Sequence, residues 1–113
     1  MKAKIVSAIL IVIVMCSSAC AALPSVTILM KKNSPECEKM LPVLKQIDSQ
    51  YGVRISTSYV YLEDNLKLAE QYNIRLVPTL IFRDASGKER AREAGYRTLE
   101  QILAVFDNAG IKY

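Results

Sequence analysis

The chain contains no histidine and no tryptophan, and only three of its 113 residues are cysteine. Without histidine there is no Cys-His nucleophile pair, no Ser-His triad and no mixed Cys/His zinc site of the usual kind. No metal and no cofactor is implied. An excess of one charge is also missing: the net charge of +4 falls to +2 once Lys2 and Lys4 are set aside. No stretch gathers Lys and Arg with aromatics as a nucleic-acid surface does, so no nucleic-acid partner is expected. The pair Lys31-Lys32 and the stretch Arg90 to Arg92 read as solvated faces. Internal repeats and low-complexity tracts are absent, and the length suits one hydrophobic core.

What is present begins with a leader. Lys2 and Lys4 precede an uncharged, largely apolar run from Ile5 to Met15, and Ala19-Cys20-Ala21 supplies a small-x-small pattern before a cut at Ala22. Residues 1–21 are therefore read as a signal peptide and 22–113 as one exported domain of the periplasm or cell envelope. Two other fates of the leader stay open. Lipid could sit on Cys16 or Cys20, although Met15 and Ser17 are poor neighbours for a lipoprotein signal. Retention as an anchor is the other, because Ile5 to Leu23 is uncharged and about as long as a minimal span. Membrane contact is expected only in those two cases. Cleavage leaves Cys37 as the one thiol and rules out an internal disulfide. A lone thiol in an oxidising compartment is either buried or available for an intermolecular bond.

Ser25 to Met30 is β-branched and apolar and reads as a strand. A helix follows, with Ser34 suited to the N-cap, Pro35 to the first helical position and Glu36 to the positive end of the dipole. Met40, Leu44 and Ile47, joined by Leu41 and Val43, continue it as an apolar stripe. Pro42 should kink this helix, and Gly52 should end it in a left-handed conformation. Val53 to Leu62 reads as a second strand, parallel to the first in a βαβ unit. Asp64 can cap a short helix through Tyr72, with Leu68 and Tyr72 facing inward. Leu80 to Arg83 is a third strand, Asp84-Ala85-Ser86-Gly87 a turn with glycine at positive φ, and Lys88 to Ala94 a charged edge strand. Thr98 and Gln101 form a capping box for a last helix carrying Leu99, Ile102, Leu103 and Phe106, which Gly110 ends. The fold class is α/β, in the order β-α-β-α-β-β-α.

Several of these residues stand where one family places its signatures. The segment Ser34-Pro35-Glu36-Cys37 lies between the first strand and its helix, Pro42 follows Cys37 by five residues, and Ile74-Arg75-Leu76-Val77-Pro78-Thr79 precedes the third strand. Gly95 stands before the last helix. On these residues the chain resembles the thioredoxin family over essentially all of 22–113. The resemblance implies a four-stranded mixed sheet flanked by helices, a cis Val77-Pro78 bond facing Cys37, and a protein or peptide thiol or disulfide as partner.

The resemblance also shows what has changed. In a two-cysteine site the first thiolate, stabilised at the helix N-terminus, attacks a substrate disulfide, and the second resolves the mixed disulfide. Here the attacking position is Ser34, and the resolving Cys37 remains. The tryptophan that commonly precedes the motif is absent, Ile28 stands where many members bury Asp, and Tyr59 where Lys is frequent. Ser34, Pro35 and Glu36 are fully accounted for as an ordinary helix start, and Cys37 as a small buried hydrophobe and a sluggish thiol. Tyr51, Tyr59, Tyr61 and Tyr72 read as packing aromatics. Two functions follow as expectations. One is limited thiol-disulfide exchange through Cys37, with Pro35, Glu36, Val77, Pro78 and Thr79 contacting the substrate. The alternative is a non-catalytic binding or chaperone-like module that lays an extended peptide beside Pro78.

Overall fold

The computed structural model describes residues 22–113; the leader assigned to 1–21, with Cys16 and Cys20, lies outside the described residues. Side-chain alternation decides how the first strand is used. In β1 (Ser25–Met30), Val26, Ile28 and Met30 join one apolar cluster and Leu29 joins the other. A strand that is apolar on both faces belongs inside a sheet. β1 accordingly has a neighbour on each side. β2 (Ser56–Tyr61) runs parallel to it with Tyr59 opposite Ile28, and β3 (Thr79–Arg83) runs antiparallel with Thr79 opposite Leu29. β4 (Glu89–Ala94) pairs antiparallel with β3 and completes the order β2-β1-β3-β4. The mixed four-stranded sheet agrees with the expected fold class.

Helices cover both faces. On the first lie α1 (Pro35–Glu38), α2 (Met40–Tyr51) and α4 (Leu99–Asn108), whose Met40, Val43, Leu44, Ile47, Ile102 and Phe106 are buried against Val26, Ile28, Leu80 and Phe82. On the second, a 3₁₀ turn (Leu62–Asp64) and α3 (Leu66–Gln71) bring Leu62, Leu68 and Ala69 against Leu29 and Ile81. The rest of that second face is polar. Thr27 Oγ1 lies 3.1 Å from Ser58 Oγ, and Arg83 donates to Thr27 Oγ1 at 3.3 Å and to Tyr72 Oη at 2.9 Å.

Four sequence expectations need correction. The helix after β1 breaks at Lys39 and not at Pro42. Proline offers no N–H to the carbonyl of Glu38 and its ring crowds that carbonyl, so the disruption falls a turn upstream. Gly52 stays right-handed at φ −58, and Tyr51 O accepts from Arg54 N at 2.8 Å and Ile55 N at 2.7 Å. This turn occupies 52–55, which is why β2 starts at Ser56. Asp64 does not cap α3: it pairs with Lys32 Nζ at 3.0 Å, and Asn65 takes the cap position without a side-chain bond. Arg92 is not merely solvated, because it forks onto Glu89 with both bonds at 3.0 Å and also donates to the Tyr72 carbonyl.

The hairpin and the last helix form as their residues dictate. Asp84 Oδ1 accepts from Ser86 N at 3.0 Å, Ser86 Oγ at 2.5 Å and Lys88 N at 3.1 Å, and Gly87 sits at φ +87. Both halves of the Thr98-Gln101 capping box are present, at 3.3 and 2.9 Å. At the other end Gly110 turns left-handed at φ +73, and Ile111 N donates to Phe106 O at 2.9 Å. Ile111 is thereby folded back into the core, and the Tyr113 ring lies 5.6 Å from Phe106 and 5.9 Å from Tyr51.

Phe106 is fully buried and meets Phe82 edge-to-face at 5.1 Å, so Phe106→Ala is expected to cost about 3–5 kcal/mol by denaturant titration. Val53, 86% exposed, is the control: Val53→Ala should stay within about 0.5 kcal/mol. The hydroxyl of Ser86, aided by the Ser86 and Lys88 amides and by Arg90, holds the Asp84 carboxyl below its ordinary value against a partial desolvation. A lowered folded value means stability that is present above the unfolded value and lost as pH falls. The stability difference between native protein and Asp84→Asn should therefore be flat above about pH 5 and shrink as pH falls below about 4.

Candidate functional site

The site begins at the turn between β1 and α1. Ser34 is extended at φ −108 and ψ 117, and its hydroxyl accepts from Cys37 N at 3.5 Å. Pro35 takes the first helical position, where its missing N–H removes no bond, and Glu36 lies in the first turn. Chemistry at this turn depends on which side chains reach solvent. Ser34 is half-buried, Pro35 and Glu36 are exposed, and Cys37 is 2% exposed. The thiol sits in the main apolar cluster with Met40 and Ile28, a turn inward of the serine.

The second wall is the segment before β3. The Val77-Pro78 bond is cis, Pro78 is buried, and its carbonyl accepts from Gly95 N at 2.7 Å. Gly95 at φ +95 has a conformation that a side chain would strain, which accounts for glycine there. Thr79 turns inward: it is buried and its hydroxyl donates to Leu76 O at 2.5 Å, so it braces the bend and offers no hydroxyl to a ligand. Val77 packs on the clusters of both sheet faces. Among the described residues its N–H and C=O bond to no other backbone group.

The fold thus brings Cys37 and Val77 into one packed cluster, with Tyr96 against it. Pro35 and Glu36 stand at the exposed helix start, and no hydrogen bond ties them to 77–79 among the described residues. The positions opposite each other in the register, Ile28 and Tyr59, complete the surroundings. Ile28 is fully buried, while Tyr59 is half-exposed and packs edge-on against Tyr61 at 5.7 Å. Among the described residues Thr79 is the one polar side chain in the buried set, so no acid or base lies buried beside the thiol. Among the described residues the Ser34 hydroxyl hydrogen-bonds to no carboxylate or amine that could activate it.

A groove that the sequence reading did not anticipate opens beside Val77. Its volume is about 430 Å³, its floor is Leu62, Ile74 and Val77, and Lys31, Glu63 and Arg75 stand around it. The available signal was the exposed apolar Leu66 and Leu76 flanking charged residues, but only the fold shows that the two stretches meet Lys31.

Comparison with known proteins agrees with this geometry. Residues 21–110 match the family described as a thioredoxin-like domain. A thioredoxin of Acidithiobacillus ferridurans is 31% identical over 72 residues, which are 64% of this chain and 66% of that relative, just under two thirds of its length. Two solved malarial structures share the fold. One, titled as the structure of a malarial protein, has a TM-score of 0.71 at 21% identity, covering 77% of this chain and 97% of its own. The other is thioredoxin-2, described as a component of the malaria parasite's protein secretion machinery, with a TM-score of 0.71, 21% identity and coverages of 77% and 84%. At that identity the likeness is one of fold. The family match spans most of the chain, and on it the chain belongs to the thioredoxin-like domain family.

Proposed function

We propose that this chain is an exported thioredoxin-family protein that holds an extended protein segment beside Val77-Pro78 and does not complete disulfide turnover. The observation that carries this is the exchange of roles at the helix start. The outward position belongs to Ser34, which has no activating base, and the remaining thiol, Cys37, is 2% exposed. A two-thiol cycle needs an exposed attacking thiolate and a resolving thiol behind it. The attacking thiol is missing. What remains is a wall for an extended chain: the free main-chain groups of Val77, the exposed Pro35 and Glu36, and the apolar groove beyond. Export rests on the leader pattern of residues 1–21, and the intact mass of the secreted protein, expected to start at Ala22, tests it.

A second reading keeps Cys37 chemically active. It is favoured by the shortness of α1, four residues bounded by the break at Lys39, which can open locally without unfolding the sheet. In the opened state the Cys37 thiolate would attack a partner disulfide. One S–S bond breaks, a bond from Cys37 to one partner sulfur forms, and the other sulfur leaves as thiolate. With no second thiol the mixed disulfide would persist until an external thiol removed it.

A disulfide-reduction assay on an insulin substrate, run beside a binding measurement, separates the readings. The native protein is expected to give no turnover, and Cys37→Ser to bind an unfolded protein segment as tightly as native. Turnover by the native protein would overturn the proposal. Loss of binding in Cys37→Ser would favour the second reading. Ser34→Cys, which restores two thiols one helical turn apart, is expected to gain reductase activity despite an N-cap cost of about 1 kcal/mol.

A further inference from the structure

Leu66, 73% exposed, lines the groove beside Val77, and Leu76, 65% exposed, lines the adjoining hollow that shares Ile74 and Arg75 with it. Apolar side chains of that size gain by burial under a ligand, and the groove floor of Leu62, Ile74 and Val77 continues the same surface. Its charges do not cancel, because Lys31 and Arg75 stand against the single carboxylate of Glu63. Glu63 is turned toward the neighbouring loop, where its Oε2 accepts the Lys32 backbone N–H at 2.9 Å. Lys32 itself is paired with Asp64, whose hydrogen bond raises the ammonium above its ordinary value. Lys31 and Arg75 remain. Both are exposed on the groove, and neither forms an ion pair among the described residues. Arg75 stands where two depressions meet, since it also lines the hollow on the other side of Leu76 with Thr79 and Ala94.

We infer that the groove selects extended peptides that carry a carboxylate between apolar side chains, with Arg75 and Lys31 receiving the carboxylate and Leu66 and Leu76 the apolar neighbours. This rests on the proposed holding of an extended segment at Val77-Pro78 and specifies its chemistry. An extended peptide places alternate side chains on one face, so a segment paired along Val77 directs every second residue toward the groove. A guanidinium and an ammonium without partners favour a carboxylate there. They disfavour a lysine, which would face two like charges.

The test uses protein purified from expression of the full chain and three blocked peptides, acetyl-Thr-Val-Glu-Leu-Thr-Val-amide and its Gln and Lys counterparts at the third residue. At low salt the Glu peptide is expected to bind about threefold to fivefold tighter than the Gln peptide, and the Lys peptide weakest. The Glu preference should fade at about 0.5 M salt and disappear in the Lys31→Gln/Arg75→Gln double variant, whose thermal midpoint should be unchanged. Leu66→Ser should weaken the Glu and Gln peptides equally. Equal affinity for the Glu and Gln peptides, or a preference that survives in the double variant, would overturn the inference and leave the holding function standing. Failure of all three peptides to bind would overturn both.

Discussion

Burial of the Cys37 turn against the central strands is the constraint on which the site depends. α1 has only four residues, too few to be stable as an isolated helix, so it is held by what it packs on. Its one inward side chain is the thiol, set among Ile28, Met40 and the rest of the main cluster. That anchor fixes the outward directions of Ser34, Pro35 and Glu36. It also accounts for serine at position 34: the fold needs a helix cap there, and a hydroxyl supplies one.

The opposite wall is held from two sides. Val77 touches the clusters on both faces of the sheet, so the segment before β3 cannot shift without disturbing both layers. Pro78 O to Gly95 N and Thr79 Oγ1 to Leu76 O fasten the bend, and Ile28 beneath the site is packed hydrocarbon. A site tuned for proton transfer keeps a perturbed acid or base at hand. Among the described residues no buried acid or base accompanies Cys37. On the proposed reading that pattern serves recognition and not turnover, and Lys31 and Arg75, which form no ion pair among the described residues, bear on the kind of ligand held.

Much of the architecture was legible in the sequence because local rules decided it. A β-branched, apolar run marked β1 as a strand, the Asp84 to Gly87 turn and the Thr98-Gln101 box each form from neighbours a few residues apart, and the resemblance carried the cis Val77-Pro78 bond. What escaped depends on residues distant in the chain. The Lys32-Asp64 pair removes the expected cap of α3, and Tyr72 receives Arg83 and Arg92 from two different strands. The tail is a subtler case: Ile111 and Tyr113 look like a short trailing end, and only the left-handed Gly110 returns them to the core. Of the residues expected at the site, Cys37 and Val77 share one packed cluster and Ser34 caps the adjoining helix. Neither the inward hydroxyl of Thr79 nor the meeting of Lys31 with Arg75 leaves a periodic trace.

The most direct measurement is the alkylation rate of Cys37 by iodoacetamide, followed by peptide mapping, in the folded protein and in urea. A thiol packed in the main cluster reacts only when its turn opens, so the folded rate is expected to be at least about 100-fold lower, equivalent to an opening free energy of about 2.7 kcal/mol. Rates within about threefold of each other, a difference of less than about 0.7 kcal/mol, would mean that the thiol is accessible in the native state, and would contradict the account.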